Sequence, residues 1–385
     1  MGRLPLPVIV FDKKGLFSQR DFVSGEVKLE VDTEGLHGIK GVWMVITCEA
    51  RNAFSTHMFV HHVQNEVYFD STLIVFGAGK DTKAKADLSL PPGIHSFPFK
   101  YRLPTDKVLP SIFLGANGNV LYSAKATLWC ERGISGLARH TERMFGVQGP
   151  TVNLNNLLEL NLKVPITRST EVRKLLGLGA TTGTVHFGLA KRGFVPREKI
   201  TVTGCVDNVS GEEHRIIKVA LVMETTYTVA GISVEGRAEH KKTLSQTDRS
   251  ISCPRGKVTK FRMYPLRLPT GCPSSGLPGC EMIDVQYYVK CNTSGCIETS
   301  FRLTVGTVPI RSVAGPVFPV LTTAGATACV QPSVATPMDT AKMAASTLEC
   351  QARPSSPSTH GPASRVEDAP PSYEEAVASG TTNDI

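Results

Sequence analysis

Apolar and polar residues alternate with a period of two over most of the first 310 positions. Val27-Lys28-Leu29-Glu30-Val31 sets three apolar side chains against two charged ones, and Phe301-Arg302-Leu303-Thr304-Val305 repeats the pattern. Ile200-Thr201-Val202-Thr203 does so again and runs on through Gly204 to Cys205 and Val206. A period of two puts alternate side chains on opposite faces of an extended chain, so these segments predict half-buried β-strands. Ala220 to Tyr227 and Val285 to Val289 are rich in the β-branched and aromatic residues that pack on a pleated surface. Helical signals are few. The best candidate is Ser169 to Leu178, with Glu171, Lys174 and Leu175–Leu176, closed by Gly177 and Gly179.

Many short strands with hardly a helix predict an all-β fold built from antiparallel β-sandwiches. About 310 residues exceed one sandwich of ~100 residues, so two tandem sandwiches are expected, spanning 1–165 and 166–310. Pro165 interrupts the pattern, which puts the hinge at Lys163 to Ser169. Residues 311–385 differ in kind: nine prolines, abundant Ala, Ser and Thr, and two aromatics, Phe318 and Tyr373. Such a tail cannot bury enough apolar area to offset its ordering entropy, and it is expected to be disordered.

Charge sharpens this division. The chain totals +8, yet from Arg311 onward four Lys/Arg face seven Asp/Glu, a net −3 that leaves +11 on the preceding body. A basic body suits acidic membrane surfaces or acidic partner segments, which allows peripheral membrane association. No Arg/Lys run is interleaved with aromatics, so no nucleic-acid partner is expected. The apolar stretch Leu4 to Phe11 is short and broken by Pro5 and Pro7, unlike a signal peptide, and no run approaches the ~20 apolar residues of a membrane span. A soluble intracellular protein is the expectation. Its ten cysteines contain no Cys-x-x-Cys pair, so no structural zinc and no thioredoxin-type dithiol is expected, and strand cysteines should be small core residues.

No catalytic constellation emerges, and neither a cofactor nor a metal is expected. Gly77-Ala78-Gly79-Lys80 has Ile74 where a phosphate loop needs its first glycine. His57, His61 and His62 lack the adjoining Glu of a zinc-protease helix. Gly133-Ile134-Ser135-Gly136 misses the spacing of a nucleophile elbow. The informative motif lies in the tail: Pro370-Pro371-Ser372-Tyr373, beside Glu374 and Glu375. Two prolines pre-set a polyproline II ribbon, and the tyrosine supplies one aromatic anchor. That layout fits the aromatic grooves of WW domains.

Further segments resemble a known family. Pro91-Pro92-Gly93-Ile94-His95-Ser96-Phe97-Pro98-Phe99, with Leu103-Pro104 and Leu109-Pro110-Ser111 after it, is similar to the arrestin N-domain run in which a glycine turn feeds an aromatic strand. Gly118 to Tyr122 and Ala124 to Leu128 continue the match, and Phe17 to Val27 resembles the opening hairpin. Arg192 to Ile200, Asn208-Val209-Ser210 and Gly279 to Val289 are similar to successive elements of the arrestin C-domain. The resemblance covers residues 8 to 310, and the Pro-Pro-x-Tyr motif points to the α-arrestin (arrestin domain-containing) branch. Two departures stand out. Members often carry two such motifs where this chain has one, and Arg197 occupies a position commonly held by glycine.

This resemblance implies an adaptor. The sandwiches would engage cytoplasmic regions of membrane receptors or transporters. Pro370, Pro371, Ser372 and Tyr373 would recruit a WW-domain HECT-type ubiquitin ligase, with recruitment from the cytoplasm to plasma membrane and endosomes. Two alternatives accompany it. Cys253, ahead of Pro254-Arg255-Gly256-Lys257, falls where the thioredoxin-binding α-arrestin places its pairing cysteine, which requires an exposed thiol of lowered pKa. A β-arrestin-like receptor scaffold would instead read phosphate with Lys13, Lys14 and Arg20.

Overall fold

The computed structural model describes residues 4–55, 61–79, 82, 87–132, 135–156, 164–173, 181–229, 236–293 and 298–311. Among these are 22 strands and no α-helix. The first domain pairs a three-stranded sheet with a larger one. In the small sheet Phe22–Val31 lies between Val8–Phe11 and Gly93–Arg102, antiparallel to both. In the large sheet Leu36–Ser55 lies between His61–Gly77 and Gly118–Arg132, and Ser135–Met144 forms the far edge. Residues 42–44 of the 20-residue strand, Val42, Trp43 and Met44, are all buried, because the strand is central to its sheet and covered on both faces there.

The second domain repeats the plan. Ile166–Arg173, Thr181–Leu189, Val202–Asn208 and Lys257–Arg262 form one sheet in that order. Gly193–Phe194, Thr299–Val305, Ile283–Thr293, His214–Thr228 and Arg237–Ser252 form the other. The alternating segments read from sequence are strands with the expected faces. Val27, Leu29 and Val31 are buried while Glu30 is exposed, and Phe301, Leu303 and Val305 are buried while Arg302 is exposed.

One device recurs in both small sheets. Gly25 stands opposite Phe11 on one neighbour and Phe99 on the other, and these rings meet edge to face at 6.1 Å. Gly204 stands opposite Phe187 and Phe261, whose rings meet the same way at 5.8 Å. A side chain at Gly25 would lie 2.1 Å from the Val10 carbonyl oxygen, and one at Gly204 2.0 Å from that of His186. Aromatics from flanking strands thus cover the space that the glycine leaves.

The segment read as a helix candidate is otherwise. Ile166–Arg173 is a strand paired with Thr181–Leu189, and residues 174–180 lie outside the described set. Thr167, Thr170 and Val172 are β-branched, and an available partner edge overrides the weak helical signal. The hinge placed at Lys163 to Ser169 likewise overlaps this strand from Ile166 onward.

Arg197 explains itself by its backbone. Its φ is +74°, the left-handed region, and the Glu198 N–H donates to the Val195 carbonyl at 3.1 Å. With Pro196 second and Arg197 third, this is the turn geometry that favours glycine at the third position. Arginine there carries a steric cost of about 1–2 kcal/mol.

Candidate partner-binding surfaces

The two domains meet at a buried polar contact. Asn52, at 0% exposure near the end of the central strand, donates through Nδ2 to the Thr228 and Met282 carbonyls, both at 2.9 Å. Gly279 packs against Val108 and Pro110 of the first domain. One amide side chain of the first domain therefore holds two backbone segments of the second. This contact involves residues that sequence reading had not singled out. The only signal for it was an Asn inside an apolar strand, where an unpaired amide would be costly to bury.

Cys253 does not meet the requirement set for a thiol partner. It is 0% exposed, its Sγ donates to the Glu212 carbonyl at 3.4 Å, and its backbone N–H donates to the Glu213 carbonyl at 2.7 Å. Burial pushes the thiol up, and the neighbouring Arg215 does not reverse that. Asn208, also buried, fixes the turn: Nδ2 donates to the Glu212 and Cys253 carbonyls and Oδ1 accepts from the Gly211 N–H. Arg255 donates to the Gly211 carbonyl at 3.2 Å, so it braces the same turn. Elsewhere Cys48 and Cys291 are buried strand residues with thiols pushed up to about 12 by desolvation, the behaviour of small core residues.

On the first domain Lys13, Lys14 and Arg20 are exposed near the edge strand Val8–Phe11. Lys13 is already engaged. Its Nζ pairs with Asp21 at 2.8 Å and lies 5.4 Å from the Phe17 ring. That ammonium, with the Ser18 N–H, holds the Asp21 carboxyl down at about 2. His61 and His62 lie on a strand, His61 against the Ser55 hydroxyl and His62 against the Phe54 ring, while His57 falls outside the described residues. Among the described residues no group of three His, Cys, Asp or Glu side chains converges as a metal site, and no helix is long and apolar enough to cross a membrane. Pro370, Pro371, Ser372 and Tyr373 lie outside the described residues.

Two tandem sandwiches joined across a buried seam define a protein of the arrestin-fold class. Comparison with known families agrees. Residues 8–148 match the arrestin (or S-antigen) N-terminal domain and residues 182–310 the arrestin C-terminal domain, together well over half of the chain. The chain belongs to the arrestin domain-containing, or α-arrestin, family. It is 29% identical over 242 residues to arrestin domain-containing protein 17 of Caenorhabditis elegans, covering 61% of this chain and 53% of that protein. It is 25% identical to arrestin domain-containing protein 1 of Rattus norvegicus, covering 65% and 52%. It is 24% identical over 328 residues to arrestin domain-containing protein 4 of Homo sapiens, covering 80% and 72%. The chain spans about half the length of the first two of these curated relatives.

Proposed function

We propose that this adaptor-like protein joins membrane cargo to a ubiquitin ligase. The two-domain body engages a cytoplasmic segment of a receptor or transporter, and Pro370, Pro371 and Tyr373 occupy the WW domain of a HECT-type ligase. The ligase then ubiquitinates cargo, adaptor or both, and the cargo enters endocytic sorting. The adaptor works between the cytoplasm, the plasma membrane and endosomes. In physical terms it raises the effective concentration of ligase at cargo and needs no chemistry of its own.

The single observation that carries this reading is the pairing of two arrestin domains with a Pro-Pro-Ser-Tyr sequence in a segment whose composition cannot build a core. Affinity purification of the full chain and of a Tyr373→Ala variant tests it. HECT-type ligases should co-purify with the first and be depleted from the second, while membrane cargo stays with both. Equal ligase recovery from the two chains rejects the reading.

A further inference from the structure

Most of the chain's surplus positive charge is concentrated in one stretch of the second domain. Residues 237–267 carry nine Lys/Arg against Glu239 and Asp248, a net +7 in a chain that totals +8. The stretch holds two consecutive strands, Arg237–Ser252 and Lys257–Arg262, joined through Pro254, and each is the last of its own sheet. Leu266–Arg267 lies beside the first of these strands, where the Arg267 N–H donates to the Ser245 hydroxyl at 3.4 Å, but from Arg249 to Ser252 and along Lys257–Arg262 no further strand among the described residues pairs with either edge.

Between these edges lies a cleft of about 480 Å³ lined by Arg249, Ser250, Thr259, Lys260 and Arg262, with the buried Phe261 beneath. Arg249 spans the gap: its Nη1 donates to the Arg262 carbonyl at 2.6 Å, and its guanidinium lies 6.0 Å from the Tyr264 ring. The side chains of Arg249, Lys257, Lys260 and Arg262 are exposed, and among the described residues no ion pair joins any of them to a carboxylate. Cations and hydroxyls around one concave site focus a positive potential on whatever enters it.

The complementary charge is in the same chain. Residues 366–384 contain Glu367, Asp368, Glu374, Glu375 and Asp384 and no Lys or Arg, and they include the Pro-Pro-Ser-Tyr motif. We propose that this cleft docks the chain's own acidic segment, with Glu374 and Glu375 against Arg249, Lys260 and Arg262, so that body and WW domain compete for Tyr373. The competition rests on the WW-docking reading; the contact in the cleft does not. The 59 residues between Arg311 and Pro371 give a coil a root-mean-square reach of about 40 Å, more than the span of one sandwich. Tethering at that length holds the acidic segment near the cleft at an effective concentration on the order of 1 mM. An extended acidic strand suits a cleft framed by two sheet edges, where its backbone can pair as its side chains meet cations.

The test uses the full chain and zero-length carbodiimide coupling, which joins a carboxylate to an amine only where the two touch. At about 50 mM salt, where the Debye length is still above ~10 Å, links should join Lys257 or Lys260 to Glu374 or Glu375. They should disappear at about 1 M salt, where that length is ~3 Å, and in Arg262→Glu, which keeps both lysines. An equimolar mixture of ¹⁴N and ¹⁵N chains should give links within one isotope only. The full chain should bind a purified WW domain roughly 5-fold more weakly than a synthetic 362–385 peptide. Arg262→Glu should close that gap. So should Glu374→Gln with Glu375→Gln, a change in the tail that leaves the sandwich untouched.

Links spread evenly over the body lysines, links that persist in Arg262→Glu, or links between isotopes each overturn the proposal. Uptake of an added polyglutamate peptide with no link to the chain's own tail also overturns it, and assigns the cleft to an acidic segment of another protein. Coupling as described together with a peptide that no WW domain binds leaves the cleft contact standing and removes the WW-docking reading instead.

Discussion

In the first domain Phe11 and Phe99 close over Gly25, and in the second Phe187 and Phe261 close over Gly204. Arginines also cross between sheet edges in both domains, but to different effect. Arg139 and Arg143 of the first domain donate to the Leu4 and Ile9 carbonyls at 2.7 and 2.8 Å, and Arg143 lies 5.6 Å from the Phe11 ring. That rim is sealed by its own cations. In the second domain Arg249 crosses to a carbonyl of the facing edge strand, while the side chains of Lys257, Lys260 and Arg262 face water. The shared device builds the sandwich in both halves. The differing rims separate a domain edge used for closure from one available for recognition.

The shared device breaks most severely. Gly25→Ala and Gly204→Ala should each cost about 3 kcal/mol, because the added methyl meets a backbone carbonyl that cannot step aside. Denaturant titration checks this, and a cost below 1 kcal/mol for either would mean that strand and rings relax together.

The rims come next. Arg143→Ala should cost about 2 kcal/mol for a charge-assisted hydrogen bond and a ring contact. Arg262→Ala should stay within ~0.5 kcal/mol, as an exposed side chain does. Equal costs would erase the distinction between closure and recognition.

Arg197→Gly should raise stability by about 1 kcal/mol, since glycine removes the left-handed penalty and gives back part of it as unfolded-state entropy. An unfolding midpoint that fails to rise contradicts the turn assignment.

The smallest effect belongs to Asp21. Its folded pKa of about 2 lies below the ordinary 3.8, so its contribution is complete above pH ~4 and is lost as pH falls toward 2. Exposure and screening limit the pair to a few tenths of a kcal/mol. Comparing acid titrations of the native chain and Asp21→Asn should show the difference only above that window.

Much of the sandwich was legible because alternation is a local property. Val27 to Val31 and Phe301 to Val305 declare their faces without reference to any partner. Ser169 to Leu178 reads as a helix because Glu171, Lys174 and two leucines mimic one, while the deciding fact for its first five residues was a free edge on Thr181–Leu189. Arg197 was legible as a departure from glycine, though not as a left-handed turn. The Cys253 reading failed for a different reason. Sequence shows Arg255 and Lys257 beside the thiol, but burial depends on Asn208, 45 residues away, gripping the Cys253 carbonyl. The basic cleft was invisible for the same reason, since Arg249 and Lys260 converge only after strand pairing places their edges side by side.

The adaptor reading is tested most directly by titrating a purified HECT-ligase WW domain into the full chain and into Tyr373→Ala, monitored by calorimetry. Saturable one-to-one binding that vanishes in the variant, with unfolding midpoints unchanged, is the result predicted. Binding of equal strength to both chains, or to neither, would contradict it.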